Sequence, residues 1–227
     1  MLKTLTTSAI LAFSANAYSI NGHLLVANIA QDLLQKNDVT TLNKALAMLK
    51  TLRDYDPTLT SHELNHPFVE CATFADDIKY NGGAWQSDYH FVDIAYVDQG
   101  TASDWNVTGP KPHNLTLGIQ NISDWLSGKN GTSYKSSYMY TYITNNLYPG
   151  RADLAQSYAL RLLIHYIGDI SQPFHCESRF DAAYPNGDAG ANAFPLPSHY
   201  DVTELHALLD KVLYVERTNY PRVSQKI

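Results

Sequence analysis

Apolar residues recur at helical spacing along most of this chain, and that periodicity restricts its fold more than any other feature of the sequence. Residues 23–36, for example, carry apolar side chains at positions 26, 29, 30, 33 and 34, which form one stripe along a helix. The same kind of pattern predicts further helices over residues 40–52, 67–79, 114–126, 154–168 and 203–215, the last with Thr203 as its N-cap. We therefore predict one mostly α domain.

Two segments depart from the helical pattern. Residues 89–97, with the sequence YHFVDIAYV, are short, aromatic and β-branched, which favours a strand or an extended segment. Residues 185–197 are rich in glycine, asparagine and proline and are predicted to form a loop. The expected architecture is a single-domain helical fold with a short extended segment and long loops near any active site.

The first 17 residues have the features of a secretory signal peptide. Lys3 supplies a positive charge, residues 10–13 lie in a short apolar stretch, and Ala15-Asn16-Ala17 resembles a cleavage site. Cleavage there would leave a domain of residues 18–227 that begins at Tyr18 and is secreted or lies in the lumen of the secretory pathway. No later stretch contains 18 or more consecutive apolar residues, so we expect no membrane partner.

Two further features agree with secretion. Four Asn-x-Ser/Thr sequons, which predict glycosylation of at least some of their asparagines, occur at Asn106, Asn114, Asn121 and Asn130. The two cysteines, Cys71 and Cys176, could pair in an oxidising compartment or remain free buried thiols. The cysteine count alone leaves both alternatives open.

The formal net charge of the chain is −6 at pH 7, which argues against a basic groove that grips phosphate groups. If the substrate is anionic, its negative charge must be balanced by something other than lysine and arginine. Bound metal ions are the obvious source of that positive charge.

Histidine and aspartate occur at spacings that metal sites use. His165 and Asp169 are four residues apart in a predicted helix, and so are His206 and Asp210, which places each pair on one helical face. A single pair of this kind is more often a surface ion pair. Two pairs on largely apolar helices are better explained by a metal, because a buried carboxylate without a partner is costly.

Four more residues are candidate metal ligands. Pro173 should end the preceding helix and turn His175 back toward its metal-binding face. His23, Asp76 and His90 are also candidates, although each of them alone would be interpreted as structural. These last three gain weight only from a family resemblance that the complete series of motifs carries.

One segment matches a metal-binding motif by chance. His62-Glu63-Leu64-Asn65-His66 fits the H-E-x-x-H pattern of zinc proteases, which works only when both histidines share one helical face. Pro67 follows directly and disfavours helical geometry at the second histidine. We therefore do not interpret this segment as a protease site.

In their order along the chain, the candidate ligands and their neighbours resemble the zinc-dependent type I single-strand nucleases of fungi and plants, a family related to the bacterial zinc phospholipases C. The similarity extends from residue 18 to residue 210. It includes the motifs G-H, A-D-D-I, H-F-V-D, H-Y-I-G-D-I-S-Q-P-F-H, G-x-x-G-x-N and L-H-x-x-x-D. The long block at residues 165–175 is the most specific of these motifs.

The resemblance implies three zinc ions per chain. The ligands of the first zinc would be Asp76, His90, His165 and Asp169. The ligands of the second would be His175, His206 and Asp210. The ligands of the third would be His23, Asp169 as a bridge, and the amine and carbonyl oxygen of Tyr18. Cleavage after Ala17 would complete the third site by freeing that amine.

The resemblance also implies roles for residues near the metals. A metal-activated hydroxide would attack the phosphodiester, with Asp76 among the catalytic residues. Lys79 would lie near the phosphate, and Asn192 close to the metals. Phe91 would stack on a nucleobase and Asp93 would hydrogen-bond to it, which explains a preference for single strands. Alternatively, Phe91 belongs to the core and Asp93 caps the end of a strand.

The function implied is a secreted endonuclease for single-stranded DNA and RNA, with 3′-nucleotidase activity and no obligate protein partner. A zinc phospholipase C-like phosphodiesterase is one alternative, although that branch typically ends its cluster with His-x-x-x-Glu whereas this chain has Asp210. An inert secreted zinc-binding protein is another, suggested by the short C-terminus. Only 17 residues follow Asp210, whereas relatives continue with further helices.

The implied ligand set leads to one more prediction, a disulfide between Cys71 and Cys176. Cys71 lies five residues before Asp76, and Cys176 follows His175 directly. If both ligands reach one metal cluster, their neighbouring cysteines are expected to be close enough to bridge.

Overall fold

The computed structural model describes residues 20–199 and 202–211, most of which are helical. The α-helices are α1 (Ile20–Asn37), α2 (Val39–Tyr55), α3 (Pro67–Glu70), α4 (Phe74–Asp77), α5 (Leu115–Ser127), α6 (Tyr138–Tyr142), α7 (Ala152–Asp169) and α8 (Leu205–Asp210). Shorter 3-10 or π turns cover Cys71–Thr73, Lys79–Gly83, Ala84–His90, Ala102–Asp104, Ser133–Ser136, Ile143–Leu147 and Pro173–His175. The strands are β1 (Ile94–Val97), β2 (Glu177–Phe180), β3 (Pro195–His199) and β4 (Val202–Glu204).

The long helices form where apolar stripes predicted them, so the mostly α, single-domain fold is confirmed. Helices α1, α2, α5 and α7 differ from the predicted segments by one to three residues at each end. Side-chain caps fix two of their starts: Asp38 accepts from the Thr41 amide and Asn114 from the Leu117 amide, each at 3.0 Å. Within the described residues, no helix combines the length and apolar character that a membrane span needs.

The continuous helix predicted over residues 67–79 is wrong. A 3-10 turn at Cys71–Thr73 separates α3 from α4. The break leaves the carbonyl oxygen of Ala72 2.6 Å from Nδ1 of His165. A regular α-helix would use that carbonyl in its own hydrogen-bond ladder. The irregular backbone therefore leaves this carbonyl available to accept a hydrogen bond from His165 of the distant helix α7.

Residues 89–97 are extended only in their second half. Tyr89 and His90 end a 3-10 helix, and β1 begins at Ile94. The prediction of an extended segment is therefore wrong for Tyr89 and His90. The helical turn brings Nε2 of His90 within 2.8 Å of Oε1 of Gln86, four residues earlier, which an extended backbone could not do.

Strands β1 and β2 form a two-stranded parallel ladder with Ile94 opposite Glu177. Just before the ladder begins, the amide of Val92 donates to the carbonyl of His175 at 2.9 Å. The pairing therefore places the segment that carries His90 beside the segment that carries His175.

The last described helix starts later than predicted. Helix α8 begins at Leu205 with Glu204 as its N-cap, so the prediction of Thr203 as the cap is wrong. Thr203 lies in β4, whose backbone pairs with β3 in an antiparallel hairpin. Because β3 begins at Pro195, the end of the loop predicted over residues 185–197 is a strand instead. Residues 212–215 of the predicted helix lie outside the described residues.

Helix α7 is the central element of the core. It packs against α1, α2, α5 and the turn between α3 and α4. Its apolar side chains, including Leu154, Tyr158 and Leu162, are buried in the largest hydrophobic cluster. The same helix ends with the fully buried His165 and Asp169, so packing of α7 sets the position of two candidate ligands.

A buried ion pair joins α7 to the segment that matches H-E-x-x-H. Arg161 donates from Nε and Nη2 to the two carboxylate oxygens of Glu63, each at 2.6 Å. Residues 62–66 are not helical, and their glutamate is committed to Arg161. The premise of the sequence interpretation, that these residues do not form a helix, is therefore confirmed.

The predicted disulfide between Cys71 and Cys176 is wrong, because both residues carry free thiols. The sulfur of Cys71 is buried and donates to the carbonyl of Phe68 at 3.3 Å. The sulfur of Cys176 lies 3.6 Å from the carbonyl of Ile170 and packs against a different apolar cluster. Burial raises the pKa of the Cys71 thiol, which keeps it protonated and unreactive.

The four sequons differ in their surroundings. Asn106 and Asn130 are exposed and Asn121 is half-buried, so glycosylation there stays a prediction. Asn114 is buried, and its Nδ2 donates to the carbonyl of Lys111 at 2.9 Å. The cap of α5 uses the other amide atom, Oδ1, so only the burial of Nδ2 weighs against a glycan at Asn114. Glycosylation at Asn114 stays a prediction, and it is the least favoured of the four.

Candidate metal centre

Histidine and aspartate side chains, all buried except the partly exposed Asp76, converge at three places in the described part of the chain. The first group is Asp76, His90 and His165; the second is His175, His206 and Asp210; the third is His23, His165 and Asp169. Within each group the potential ligand atoms all lie within 4.8 Å of one another. Every side chain predicted as a zinc ligand belongs to one of the groups. Tyr18, predicted to bind through its backbone, lies outside the described residues.

Asp169 connects the first and third groups. Its Oδ2 lies 2.9 Å from Nδ1 of His90 and 3.3 Å from Nε2 of His165. Its Oδ1 lies 3.3 Å from Nε2 of His23. One buried carboxylate therefore contacts imidazoles of both groups, which is the geometry expected of a bridging ligand.

Hydrogen bonds outside the groups fix the protonated nitrogen of three histidines. Nδ1 of His165, His175 and His206 lies 2.6, 2.7 and 2.6 Å from a backbone carbonyl oxygen. The three carbonyls belong, in that order, to Ala72, His90 and Gly190. A carbonyl oxygen only accepts, so each Nδ1 carries a proton, and in the neutral imidazole each Nε2 then presents a lone pair. Metal-ligating histidines are oriented in this way.

His90 uses the opposite tautomer. Its Nε2 donates to Oε1 of Gln86, so Nδ1 carries the lone pair. That Nδ1 is the atom that faces Asp169 and, at 3.8 Å, Asp76. The ring orientation therefore places the lone pair of His90 where the first group converges.

The donor atoms of these groups fit a divalent cation. Both carboxylate oxygens of Asp169, Nε2 of His175 and Nε2 of His206 are buried and make no aligned hydrogen bond within the described residues. Burying such atoms is costly unless something satisfies their lone pairs. Mixed imidazole and carboxylate donors suit zinc in particular.

Most of the histidines are in the form that metal binding requires. Burial lowers the pKa of His175 to about 4 and also lowers the pKa of His23, His90 and His206. These imidazoles are therefore neutral at pH 7, as ligands must be. His165 is the exception, because nearby carboxylates outweigh the effect of burial and raise its pKa.

The carboxylates divide into two kinds. Burial tends to raise the pKa of Asp76, but His165, His90 and Lys79 outweigh that effect and lower the pKa to about 2. The same imidazoles, His165 and His90, outweigh burial at Asp169 and hold its pKa well below the usual value. Asp210 has no such excess of positive neighbours, and burial raises its pKa to about 8.

The raised pKa of Asp210 predicts that zinc affinity of the second group increases with pH. In the metal-free protein this carboxyl keeps its proton below pH 8, and binding must displace that proton. We therefore expect apparent affinity to rise about tenfold per pH unit between pH 6 and 7.5 and to level off above pH 8. His175, with a pKa lowered to about 4, is neutral over this range and adds no such slope, and the lowered pKa of His206 reduces its contribution. Competition titrations with a chelating indicator at several pH values would measure it, and equal affinities at pH 6 and 7.5 would contradict the prediction.

Close packing of α1 against α7 positions His23. A Cβ placed on Gly168 would lie 2.2 Å from Nδ1 of His23, and the ring of His23 stacks on that of His165 with centroids 3.9 Å apart. Any larger side chain at position 168 would have to displace the imidazole. The glycine in the H-Y-I-G-D motif is thus a requirement of the third group.

The structure places the predicted catalytic residues at different distances from the metal groups. Nζ of Lys79 lies 2.8 Å from Oδ1 of Asp76, at the edge of the first group. Asn192 lies in the turn whose Gly190 carbonyl orients His206, and its own Nδ2 donates to the carbonyl of Ala189 at 2.9 Å. Lys79 thus contacts a ligand directly, and Asn192 belongs to the loop that supports one.

The predicted base-binding pair lies next to the second group. The ring of Phe91 stacks on that of His175, with centroids 4.6 Å apart and an interplanar angle of 19°, and is only half-buried. Asp93 adopts a left-handed backbone conformation with φ of 49°, and burial raises the pKa of its carboxyl. Phe91 is therefore fixed by a candidate ligand rather than enclosed in the core.

Two glutamines that contact the ligands were not predicted from the sequence. Gln86 contacts His90, and Gln172 donates from Nε2 to Oδ1 of Asp210 at 2.8 Å. Both side chains are fully buried. The only sequence signal for Gln86 is its position four residues before His90, and Gln172 lies inside the motif that ends with His175.

Comparisons with known proteins point in the same direction. Residues 18–226 match the family described as S1/P1 Nuclease. Two sequences of phospholipase C from Bacillus cereus are 24% identical to this chain over 170 and 175 residues, which is 74% of this chain and 46% of each relative. The chain thus spans about half the length of the curated relatives it matches.

Proposed function

The chain belongs to the S1/P1 nuclease family. From that premise we propose that it is a zinc-dependent endonuclease for single-stranded DNA and RNA. It would hydrolyse their phosphodiester bonds and also remove phosphate from 3′-nucleotides. One observation carries the proposal. Eight histidine and aspartate side chains, all buried except the partly exposed Asp76, form three adjoining groups, and hydrogen bonds outside these groups turn the imidazole lone pairs inward. A phosphodiesterase-type hydrolase is also consistent with the similarity to phospholipase C.

The proposed zinc ligands follow the three groups. Asp76, His90 and His165 would bind the first ion together with Asp169, which contacts both of these histidines. The ligands of the second ion would be His175, His206 and Asp210. His23 and Asp169 would bind the third together with the backbone of Tyr18, which requires the predicted cleavage after residue 17. When bound, zinc lowers the pKa of water and offsets negative charge on a phosphate group. Three dications would also reverse the local charge in a chain whose formal charge is −6.

Residues of the chain itself support a nucleic-acid substrate. The ammonium group of Lys79, at the edge of the first group, offers a cation to a phosphate that approaches the metals. The half-buried ring of Phe91, stacked on His175, offers a rigid surface for a base. Since paired bases have no exposed face, such a surface favours single strands. Asp93 would hydrogen-bond to the stacked base, and Asn192 would support the metal site from its loop.

The proposed setting is the secretory pathway or the extracellular space. A signal peptide over residues 1–17 would direct the chain there and would produce the Tyr18 amine. Glycosylation is proposed at Asn106, Asn121 and Asn130, and it is least favoured at Asn114. A phospholipase C-like activity is the second candidate function, favoured by the similarity to the Bacillus cereus enzymes.

The proposal predicts a zinc-dependent preference for single strands. Correctly processed protein treated with chelator should lose cleavage of a single-stranded oligonucleotide and recover it with zinc but not with magnesium, since imidazole ligands disfavour magnesium. The same sequence as a duplex should be cut at least about tenfold more slowly, because stacking of one base contributes about 1–3 kcal/mol.

The control substrate is phosphatidylcholine. Its hydrolysis without cleavage of oligonucleotides would favour the phospholipase C-like function. Zinc binding without turnover of either substrate would identify an inert zinc-binding protein. Full nuclease activity after exhaustive zinc removal would contradict the metal requirement itself.

A further inference from the structure

Gln86 is a fully buried side chain that connects three ligand-bearing segments of the first group. Its Nε2 donates to the carbonyl of Ala75, the residue before Asp76, at 2.8 Å. Its Oε1 accepts from Nε2 of His90 at 2.8 Å. The same oxygen accepts from the hydroxyl of Tyr166, the residue after His165, at 2.8 Å.

The network leaves only one orientation for the amide. The carbonyl of Ala75 can only accept, so the nitrogen of the Gln86 amide must face it and the oxygen must face the other way. That oxygen then requires a proton on Nε2 of His90. The lone pair of His90 is thereby fixed on Nδ1, the atom 2.9 Å from Asp169.

We propose that Gln86 is a positioning residue that assembles the first metal group before any ion binds. It sets the tautomer of His90 directly, and it fixes the distances among the segments that carry Asp76, His90 and His165. This inference rests on the proposed zinc binding. An apolar side chain of the same size would fill the space but would orient none of the three segments.

A neutral amide is suited to this position for an electrostatic reason. Asp76 and Asp169 already supply two carboxylates next to His90. A glutamate at position 86 would still accept from His90 and from Tyr166, but its second oxygen would face the carbonyl oxygen of Ala75. Gln86→Glu should therefore keep the tautomer of His90, lose the contact with Ala75 and add a third buried carboxyl group beside Asp76 and Asp169.

Gln172 offers an internal control, because it contacts a ligand of the second group. Its Nε2 donates to Oδ1 of Asp210 at 2.8 Å, and its Oε1 accepts from the amide of Phe174 at 2.6 Å. It is as deeply buried as Gln86. Replacing either glutamine with methionine is thus a similar perturbation at two different groups.

The experiment measures zinc affinity by competition in two backgrounds, both with His23→Ala. One background, His206→Ala with Asp210→Ala, retains the first group, and the other, Asp76→Ala with His90→Ala, retains the second. We expect Gln86→Met to weaken zinc binding about 10–100-fold in the first background and by less than about threefold in the second. Gln172→Met should show the reverse pattern. Gln86→Glu should recover part of the affinity lost in Gln86→Met, because its carboxyl group still accepts from His90.

Each result is decisive for one of the two proposals. If the chain with no substitutions binds no zinc, the proposed function fails. If it binds zinc but folded Gln86→Met binds as tightly at the first group, or loses affinity equally in both backgrounds, the role of Gln86 is refuted. Should Gln86→Met not fold, nitrogen chemical shifts of the metal-free unsubstituted protein decide: a proton on Nε2 of His90 supports the inference, and a proton on Nδ1 overturns it.

Discussion

Replacing Asp169 with asparagine is expected to abolish nuclease activity, with a loss of at least about a thousandfold. Asp169 contacts His90 and His165 through one oxygen and His23 through the other, so the substitution affects two metal groups at once. The new amide nitrogen would donate to one of these imidazoles and occupy its lone pair. A bound metal contributes several kcal/mol to the transition state, and each 1.4 kcal/mol is about a factor of ten in rate.

The measurements for this prediction are zinc content per chain and the rate of oligonucleotide cleavage. Asp153→Asn is a matched control, because Asp153 lies on the same helix α7 but is exposed and pairs with Arg151 at the surface. The control should keep its zinc and its rate. If Asp169→Asn retained full zinc and more than a tenth of the activity, Asp169 could not be a bridging ligand.

The sequence predicts those parts of the fold that depend on the local pattern of apolar residues. Helices α1, α2, α5 and α7 have apolar stripes long enough to identify without tertiary information. The pairs His165 with Asp169 and His206 with Asp210 are visible because four residues make one turn of a helix. The assignment of ligands to individual zinc ions rests on the resemblance and stays a prediction, which the convergence of the same side chains supports.

The parts that the sequence does not predict depend on contacts between remote segments. The break in the helix predicted over residues 67–79 provides a carbonyl for His165, which lies 93 residues after its partner Ala72. No local pattern records that requirement. Gln86 is similar: its importance lies in joining Ala75, His90 and Tyr166, which become neighbours only in the folded chain.

The disulfide prediction failed for a geometric reason. It assumed that cysteines near two ligands must be near each other. Adjacent side chains in a turn or a 3-10 helix point in different directions, so His175 can face the metal groups while Cys176 faces the carbonyl of Ile170. Likewise the sequon at Asn114 could not reveal that its amide caps α5.

Replacing Arg161 with methionine is expected to destabilise the fold by about 3–5 kcal/mol, the usual cost of leaving one partner of a buried ion pair unpaired. Arg161 is fully buried, donates to both oxygens of Glu63, and also donates to the carbonyl of Leu49 at 2.9 Å. Burial already raises the pKa of Glu63 despite the arginine. Without Arg161 this carboxyl should accept a proton more readily, so the loss of stability should be smaller at pH 5 than at pH 8.

Urea unfolding of the metal-free protein at both pH values measures this loss. Arg151→Met is the matched control, since Arg151 is the N-cap residue of the same helix and pairs with Asp153 at the surface, where such pairs contribute little. Arg161→Met combined with Glu63→Leu should recover most of the lost stability, because no charge is then buried alone. Because Arg161 precedes His165 by one turn of α7, the single variant should also bind zinc less tightly than the double variant. Equal stability of Arg161→Met and Arg151→Met would show that the buried pair does not hold α7 in place, and the position of His165 would then need another cause.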